Sequence, residues 1–419
     1  MLSRLKSQTR PLVLMALRVG SMAAKFLLAI YTARYLGLAD LGIYGLLVGA
    51  ATMAPWALGL GTTEWTMRQI ATMPREDAAA CITTRLAQPL VLHAIAQPLA
   101  YALNAALGAP IPWPIAFAGG AILLLEHLAC DASDLLVARG RAMFCAMLLF
   151  VRAGLWPFAL IAAGMIYPPS RSLGWLLAFW IGGLTLACVA LAVYLATGGR
   201  WRLMALRPRW LLEGVRKSVP LYIKDLAGAL NLYLDRFLVS LFLGLELTGV
   251  YTLFWSIANV VHNLAVASIV QPQLPQLFDA ARKGRESFRA TERRLQIELG
   301  AWTAALAIGA LVLMPLLLPL IGRPLLAEHL SVFWIVLAAM VLRTGADSYG
   351  YALLALHRDR AIAVISVAGV VSSAALNAVL VPLLGLPGAG YAFVLTSLAL
   401  FAARYWLTRS AGDGAGKSV

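Results

Sequence analysis

The sequence predicts an all-α polytopic membrane protein: twelve transmembrane helices in two six-helix lobes, related by a pseudo-two-fold axis along the membrane normal around a central cavity. Three observations lead to this prediction. Hydrophobic residues make up 61% of the 419 residues and charged residues only 13%, about half the charged share of a soluble domain. Apolar runs long enough to cross a bilayer recur along the whole chain. A short motif near the start recurs halfway along.

The twelve spans are separated by short segments with turn chemistry, such as GAPIPWP, YPPSRS, IGRP and GLPGAG. The predicted spans cover residues 12–34, 41–63, 82–107, 113–137, 143–166, 173–197, 219–242, 247–271, 298–321, 330–355, 361–384 and 387–408. They divide the chain into an N-terminal lobe (1–197), a connector (198–218), a C-terminal lobe (219–409) and a tail (410–419). The connector is basic and amphipathic, so we expect it to lie on the membrane surface with Trp201 and Trp210 at headgroup level.

The distribution of Lys and Arg predicts the orientation in the membrane. Alternate connections and the two termini together carry 23 basic residues, whereas the remaining connections carry only Arg34, Arg171 and Arg323. Because basic loops stay in the cytoplasm, both termini are predicted to be cytoplasmic. The formal net charge of +15 then reflects topology and attraction to anionic membrane lipids, and it does not indicate a nucleic-acid partner.

The repeated motif is YLGLADLGIY at residues 35–44 and FLGLELTGVY at residues 242–251, with five of ten positions identical. Each copy joins the first and second spans of one half. Since each half has an even number of spans, the two halves share one orientation. We expect the glycines of the motif to allow a tight reversal of the chain; they are Gly37, Gly42, Gly244 and Gly249.

Further segments follow in order: SVPLYIKDLAGALNLYLDRFLVSLFLGLELTGVY with its Asp235–Arg236 pair, QPQLPQLFDAARKG, and LLGLPGAGYA. Together with the repeated motif they resemble the bacterial lipid-linked oligosaccharide flippases of the multidrug/oligosaccharidyl-lipid/polysaccharide exporter superfamily. The twelve spans are closer to the O-antigen and capsule branch than to the peptidoglycan-precursor flippases, which usually have fourteen. The resemblance implies that a polyprenyl-diphosphate-linked oligosaccharide is flipped to the outer leaflet of the inner membrane by alternating access of two lobes. It also implies glycan polymerase and other polysaccharide-assembly proteins as partners, and no cofactor.

Ionisable residues at membrane depth are costly, so they mark candidate sites. A lipid diphosphate needs cations along its path, because its negative charges must cross a medium of low dielectric constant. The candidate cations for the diphosphate are Arg18, Lys25, Arg152, Lys224 and Arg343. Arg18 and Lys25 share one helical face and have no carboxylate on their own span, and the repeat places Asp225 opposite Arg18.

The remaining intramembrane charges predict ion pairs and a coupling site. The candidates for cavity or gating ion pairs are Asp225, Asp235, Arg236 and Asp347; the last is four residues after Arg343 on one helical face. Asp131 lies near the inner rim, where we expect it to pair with Arg139 and Arg141. The candidates for proton coupling are Glu126, His127 and Asp131, with Glu126 and His127 as the deep acid–imidazole pair. Consumption of the product in the outer leaflet is the alternative source of energy.

Three other functions were compared with this prediction. A cation-coupled multidrug exporter of the same superfamily stays the alternative, and it would use an intramembrane acid such as Glu126, Asp225 or Asp131. A major-facilitator transporter is disfavoured because the loop after span two reads TTEWTMRQIATMPRED and lacks that family's motif. An enzyme is not expected, because the predicted outer connections are short and carry no catalytic signature. The four cysteines show neither metal-ligand spacing nor a disulfide pattern, so no metal is predicted.

Overall fold

The computed structural model describes residues 2–197 and 205–414, which form helices joined by short turns, without a strand in these ranges. The first half contains α1 (Leu2–Tyr31), α2 (Leu38–Leu58), α3 (Thr62–Thr72), α4 (Arg75–Ala106), α5 (Trp113–Ala138), α6 (Ala142–Phe150), α7 (Trp156–Ile166) and α8 (Leu173–Thr197). The second half contains α9 (Pro208–Leu243), α10 (Leu245–Ala265), α11 (Gln271–Lys283), α12 (Arg285–Ile321), α13 (Pro324–Glu328), α14 (Leu330–Ala355), α15 (Asp359–Leu384) and α16 (Leu386–Gly414).

Within the described residues, twelve helical stretches are long and apolar enough to cross a membrane, as the sequence predicted. Several predicted limits coincide with the observed ones, for example at α8 and α14. The largest differences occur at the eighth and ninth spans, which extend to Leu245–Lys283 and Arg285–Ile321. Their charged ends continue the helical hydrogen bonding beyond the apolar part, and hydropathy detects only the apolar part.

Three of the spans contain a single π-helical turn: Thr32–Leu36, Val151–Leu155 and Val266–Val270. The first follows α1 directly, the second joins α6 to α7, and the third joins α10 to α11. A π turn inserts one extra residue into the helical ladder, so it shifts the side chains that follow it around the helix axis. The second turn contains Arg152, one of the predicted site residues.

Residues 208–217 of the predicted surface connector form the beginning of the long helix α9, ahead of its apolar part Leu221–Leu243. The Trp210 ring packs against the Trp65 ring, with centroids 4.7 Å apart. Trp210 also contacts a buried apolar cluster that includes Ile70 and Leu135. The indole of Trp210 is thus partly buried between helices, and its expected position at headgroup level stays a prediction. Trp201 lies outside the described residues.

The chain divides into two compact units that exchange short segments. Unit 1 comprises Met1–Tyr31 and Leu47–Leu226, and unit 2 comprises Thr32–Leu46 and Ala227–Val419. The core of unit 2 includes a cluster around Leu277, Phe288 and Leu299. The predicted lobe limits at residues 197 and 219 follow the order of the chain and stay a prediction.

The repeated motif packs against itself inside unit 2. Gly37 and Gly244 have φ angles of +119° and +83°, so they make the reversal that the sequence predicted. Gly42 and Gly249 have a different role. A Cβ atom on Gly42 would collide with the Leu245 carbonyl oxygen, and one on Gly249 would collide with the Leu38 carbonyl oxygen. The two contacts are reciprocal, because Leu38 and Leu245 are equivalent residues of the two copies, as are the two glycines.

The three arginines that the charge pattern places on the outer side each bind carbonyl groups at the end of a helix. Arg34 donates to the Leu320 carbonyl at 2.7 Å, and Arg323 donates to the Ala33 carbonyl at 3.0 Å. Arg171 donates to the Gly164 carbonyl at 2.8 Å. The last carbonyls of a helix have no intrahelical partner and carry partial negative charge. These exceptions to the charge bias therefore have a structural explanation.

Candidate functional site

Unit 1 gathers predicted site residues from three neighbouring segments. Arg18 and Lys25 are exposed on one side of α1, which packs against α6, the π turn Val151–Leu155 and α7. Glu126 of α5 and Arg152 of the π turn lie within electrostatic reach of Lys25. The structure thus brings Lys25 and Arg152 together, with one carboxylate close to both.

Arg152 has hydrogen-bond donors that the described residues do not satisfy. Its Nη1 atom lies 3.6 Å from Glu126 Oε1, which is longer than a hydrogen bond. Among the described residues, its Nε and Nη1 atoms are buried without a nitrogen or oxygen acceptor in hydrogen-bond geometry, and the Cys130 thiol is the other group beside the guanidinium. The π turn presents this side chain, and the Trp156 indole N–H binds the Arg152 carbonyl at 3.0 Å. Buried donors in this state are rare in proteins, and they can bind the oxygens of an anionic ligand.

Lys224 and Asp225 form a separate cluster in unit 1. Lys224 Nζ lies 3.3 Å from Asp225 Oδ1 and 3.5 Å from Glu64 Oε1 of α3. The repeat predicted Asp225 opposite Arg18, but the cation that the structure places beside Asp225 is the neighbouring Lys224. Since Lys224 already has two carboxylate partners, it offers less free charge to an anion than Arg152 does.

The expected pair of Glu126 and His127 does not form. Consecutive residues of a helix point about 100° apart, so the two side chains face different neighbours. Glu126 faces Arg152, whereas His127 Nδ1 lies 3.3 Å from His93 Nε2 of α4. The acid that faces His127 is Asp131, whose Oδ2 lies 3.5 Å from His127 Nε2.

Asp131 pairs with Arg85, which the sequence analysis missed. Arg85 Nη2 donates a hydrogen bond to Asp131 Oδ1 at 2.8 Å, and Arg85 Nη1 lies 2.7 Å from Asp131 Oδ2 as an ion pair. The expected partners are wrong: Asp131 is held by Arg85 of α4, and Arg139 donates to the Ile70 carbonyl at 3.0 Å. A survey of ionisable residues inside every predicted span would have identified both Arg85 and His93, because both fall within residues 82–107.

The predicted pair of Arg343 and Asp347 is present in unit 2, with Nε and Oδ2 3.0 Å apart. A second cation binds the same carboxylate: Arg404 Nη1 of α16 lies 2.6 Å from Asp347 Oδ1. Arg404, which lies near the end of the last span, was not among the predicted site residues. His262 of α10 contacts Thr344 at 3.0 Å beside this cluster.

Asp235 and Arg236 are both buried in α9, and they contact α10 in different ways. Asp235 accepts hydrogen bonds from the Tyr251 hydroxyl at 2.6 Å and from the Arg236 backbone N–H at 2.8 Å. The Arg236 guanidinium lies over the Trp255 ring, 3.9 Å from its centroid. Both residues thus join α9 to α10. Their predicted role in cavity or gating ion pairs stays a prediction.

Comparisons with known proteins identify the fold. One chain, described as the inward-facing conformation of a multidrug resistance MATE family transporter of the MOP superfamily, superposes with a TM-score of 0.77 at 14% identity, covering 95% of this chain and 96% of its own. The fold is that of the MATE transporters. An outward-facing multidrug MATE transporter gives a TM-score of 0.63 at 13% identity, covering 97% of this chain and 96% of its own. A MOP superfamily transporter from Pyrococcus furiosus, described as having a binding pocket of reverse polarity, gives 0.60 at 12% identity, covering 97% and 96%.

No protein-family model matches the sequence, and no curated protein matches it. The twelve apolar helices and this MATE-like fold with two lobes show a multi-pass membrane protein.

Proposed function

We propose that the chain is a transporter of the MOP superfamily that flips a polyprenyl-diphosphate-linked oligosaccharide from the cytoplasmic to the outer leaflet of a bacterial inner membrane. The fold supports transport, because similar chains are described as MATE transporters in inward- and outward-facing conformations. Two-lobed transporters of this kind work by alternating access. The substrate class follows from the residues that face the middle of α1.

Arg152 is the observation that favours a diphosphate substrate. Its Nε and Nη1 atoms are buried without a nitrogen or oxygen acceptor, and the exposed cation Lys25 lies near it. Together these groups present several donors to one region, whereas Glu126 remains beyond hydrogen-bond distance. Phosphate oxygens fit such donors, and the planar guanidinium can bind two of them at once. In this proposal Arg18 lies on the same side of α1 and extends the path for the headgroup.

A cation-coupled multidrug exporter is the second candidate. The names of the similar structures support it, since two of them are described as multidrug resistance transporters. In that case Glu126 would bind the cationic ligand and Arg152 would serve to hold Glu126 in place. The two candidates therefore give opposite roles to the same two residues.

The test uses the purified protein in vesicles that contain a polyprenyl-diphosphate-linked oligosaccharide. An impermeant glycosidase measures how fast the glycan crosses the bilayer, and ethidium efflux under a pH or sodium gradient measures drug transport. We expect Arg152→Ala and Lys25→Ala to slow flipping by roughly tenfold to a hundredfold, because each loses a charged hydrogen bond of about 1.5–3 kcal/mol. Lys25→Arg should flip at nearly the wild-type rate, because a phosphate accepts either donor.

Lys217→Ala is the matched control, since it removes an exposed cation of unit 1 whose ion pair, within the described part of the chain, is with its neighbour Glu213. Unchanged flipping in Arg152→Ala and Lys25→Ala would contradict the diphosphate site. Gradient-driven ethidium efflux that requires Glu126, without glycan flipping in the wild type, would establish the second candidate instead. The glycan polymerase and other assembly proteins stay proposed partners.

A further inference from the structure

Unit 1 contains a second set of buried polar side chains that the proposed substrate site does not use. Arg85 and His93 of α4 are 1% and 2% exposed, and His127 and Asp131 of α5 are 0% and 2% exposed. Gln97, one turn after His93, extends this set along α4. Groups of this kind inside apolar helices are costly unless they serve a function or are fully paired.

The hydrogen bonds of this set have a defined direction. The Gly120 carbonyl can only accept, and it lies 2.7 Å from Gln97 Nε2, so this atom is the amide nitrogen. Its second N–H donates to His93 Nδ1 at 3.1 Å. A neutral His93 then carries its proton on Nε2 and donates to His127 Nδ1 at 3.3 Å. His127 in turn carries its proton on Nε2, which lies 3.5 Å from Asp131 Oδ2. These two atoms make no hydrogen bond in this structure, so the last transfer requires them to approach each other. Every donor therefore points towards the carboxylate.

The pair of Asp131 and Arg85 lies at the end of this series of hydrogen-bonded side chains. The other hydrogen bonds of Arg85 go to neutral groups, Gln88 Oε1 at 2.9 Å and Thr63 Oγ1 at 3.0 Å. Asp134 is the other acid with an electrostatic effect on Asp131. Other ionisable groups on the helices packed against α5 have partners of their own: Glu64 of α3 pairs with Arg68 and Lys224, and Asp77 of α4 pairs with Arg207. The thiols are Cys145 of α6, which lies by Ser133, and Cys188 of α8, which lies 3.9 Å from the Leu125 carbonyl. Asp131 is thus the acid at the end of the imidazole chain.

We propose that His93 and His127 relay a proton to Asp131 and that this protonation releases Arg85, which couples proton movement to the transport cycle; the coupling rests on the proposed transporter function. The proton binds His93 Nδ1 after the Gln97 amide turns away. The Nε2 proton of His93 passes to His127 Nδ1, and the Nε2 proton of His127 passes to Asp131 Oδ2. One proton enters and one is delivered. Both imidazoles end neutral with the opposite tautomer, and rotation of the rings restores the starting state.

The release of Arg85 acts on the corner between α2 and α3. Gln88, which binds Arg85, also donates to the Gly59 carbonyl at 3.2 Å and contacts Thr62 Oγ1 at 3.3 Å. Leu60 in this corner has a φ angle of +53°, a conformation that non-glycine residues seldom adopt. A change in the Arg85–Asp131 pair therefore reaches the corner between α2 and α3 through Gln88.

The first experiment measures protonation without transport. Infrared spectra of the purified protein at a series of pH values follow the band of protonated carboxyl groups, and a pH jump gives the rate of proton uptake. We expect one titrating carboxyl band to vanish in Asp131→Asn. We expect His93→Gln and His127→Gln to keep this band but to slow its appearance at least tenfold, because an amide can hydrogen bond but cannot relay a proton. His329→Gln is the matched control. This histidine contacts the Leu325 carbonyl and is not part of the hydrogen-bonded series of His93 and His127.

The second experiment measures flipping in vesicles at the same pH values. Wild-type flipping should depend on pH, whereas flipping in Asp131→Asn should not. The double variant Arg85→Gln/Asp131→Asn, which leaves no buried unpaired cation, replaces Asp131→Asn if that variant fails to fold. An Asp131 band that titrates through the relay in a protein without glycan flipping would support the relay and overturn the proposed substrate. Normal flipping with an unchanged carboxyl band and pH profile in the Asp131 variants would overturn the relay alone.

Discussion

The fourth span of each half carries a carboxylate that binds arginine, and the residue one turn earlier differs between the two. Asp131 of α5 and Asp347 of α14 each bind an arginine from another helix, Arg85 and Arg404 respectively. One turn earlier on the same helix, Asp131 has His127 and Asp347 has Arg343. With the histidine neutral, the first cluster has no net charge, whereas the second has one positive charge in excess.

This difference gives the two clusters different chemistry. Two guanidinium groups within 3.0 Å keep Asp347 ionised, because each favours the charged carboxylate. Asp131 has one guanidinium, and its second neighbour is a group that can deliver a proton. We therefore expect unit 2 to use its acid as a fixed tie between α14 and α16, and unit 1 to use its acid as a switch.

The largest effect is expected from Asp347→Ala, which leaves two buried arginines without their carboxylate. Removal of one partner from a buried ion pair costs about 3–5 kcal/mol. Asp131→Ala should lie at the lower end of that range, since it strands one arginine that Gln88 and Thr63 still bind. Thermal unfolding in detergent measures both losses. The exposed Asp279→Ala is the control, and a larger loss for Asp131→Ala would reverse the comparison.

An intermediate loss of stability is expected at the repeated motif, where both halves carry the same glycine. Gly42→Ala and Gly249→Ala should each destabilise unit 2 by about 1–3 kcal/mol, because each new methyl group collides with a backbone carbonyl that cannot easily move. Since the contacts are reciprocal, the two losses should be equal within error in the same unfolding assay. Gly309→Ala is the matched control, because its methyl group would meet no atom within 4 Å. Clearly unequal losses would show that the two copies do not pack as equivalents.

The smallest effect is expected from Arg343→Gln, at about 1 kcal/mol, because Arg404 still holds Asp347 and the glutamine can keep one hydrogen bond. Unfolding in detergent measures it, beside Arg294→Ala, where an exposed pair with Glu298 contributes about 0.2–1 kcal/mol. A loss as large as that of Asp347→Ala would show that Arg343, and not Arg404, is the principal partner of the acid.

The candidate site was predicted in part from the sequence. The cations Lys25 and Arg152 could be selected because a charge inside an apolar span is visible in the sequence. Their proximity to Glu126 could not, because it depends on how α1, α5 and the π turn pack. The expected pairs Asp131–Arg139 and Glu126–His127 were wrong for the same reason: they joined residues close in sequence, whereas the actual partners come from other helices.

The sequence by itself determined the twelve helices, the local pair Arg343–Asp347 and the repeat at the start of each half. These depend on hydropathy, on helical period and on identity between segments, which are all properties of short stretches of chain. Only the tertiary structure decided that Arg85 holds Asp131 across 46 residues and that Arg404 holds Asp347 across 57. It also decided that Gly42 and Gly249 meet the opposite copy of the motif. A buried charge takes its partner from whichever helix packs beside it, and that neighbour is set by the packing of the whole unit.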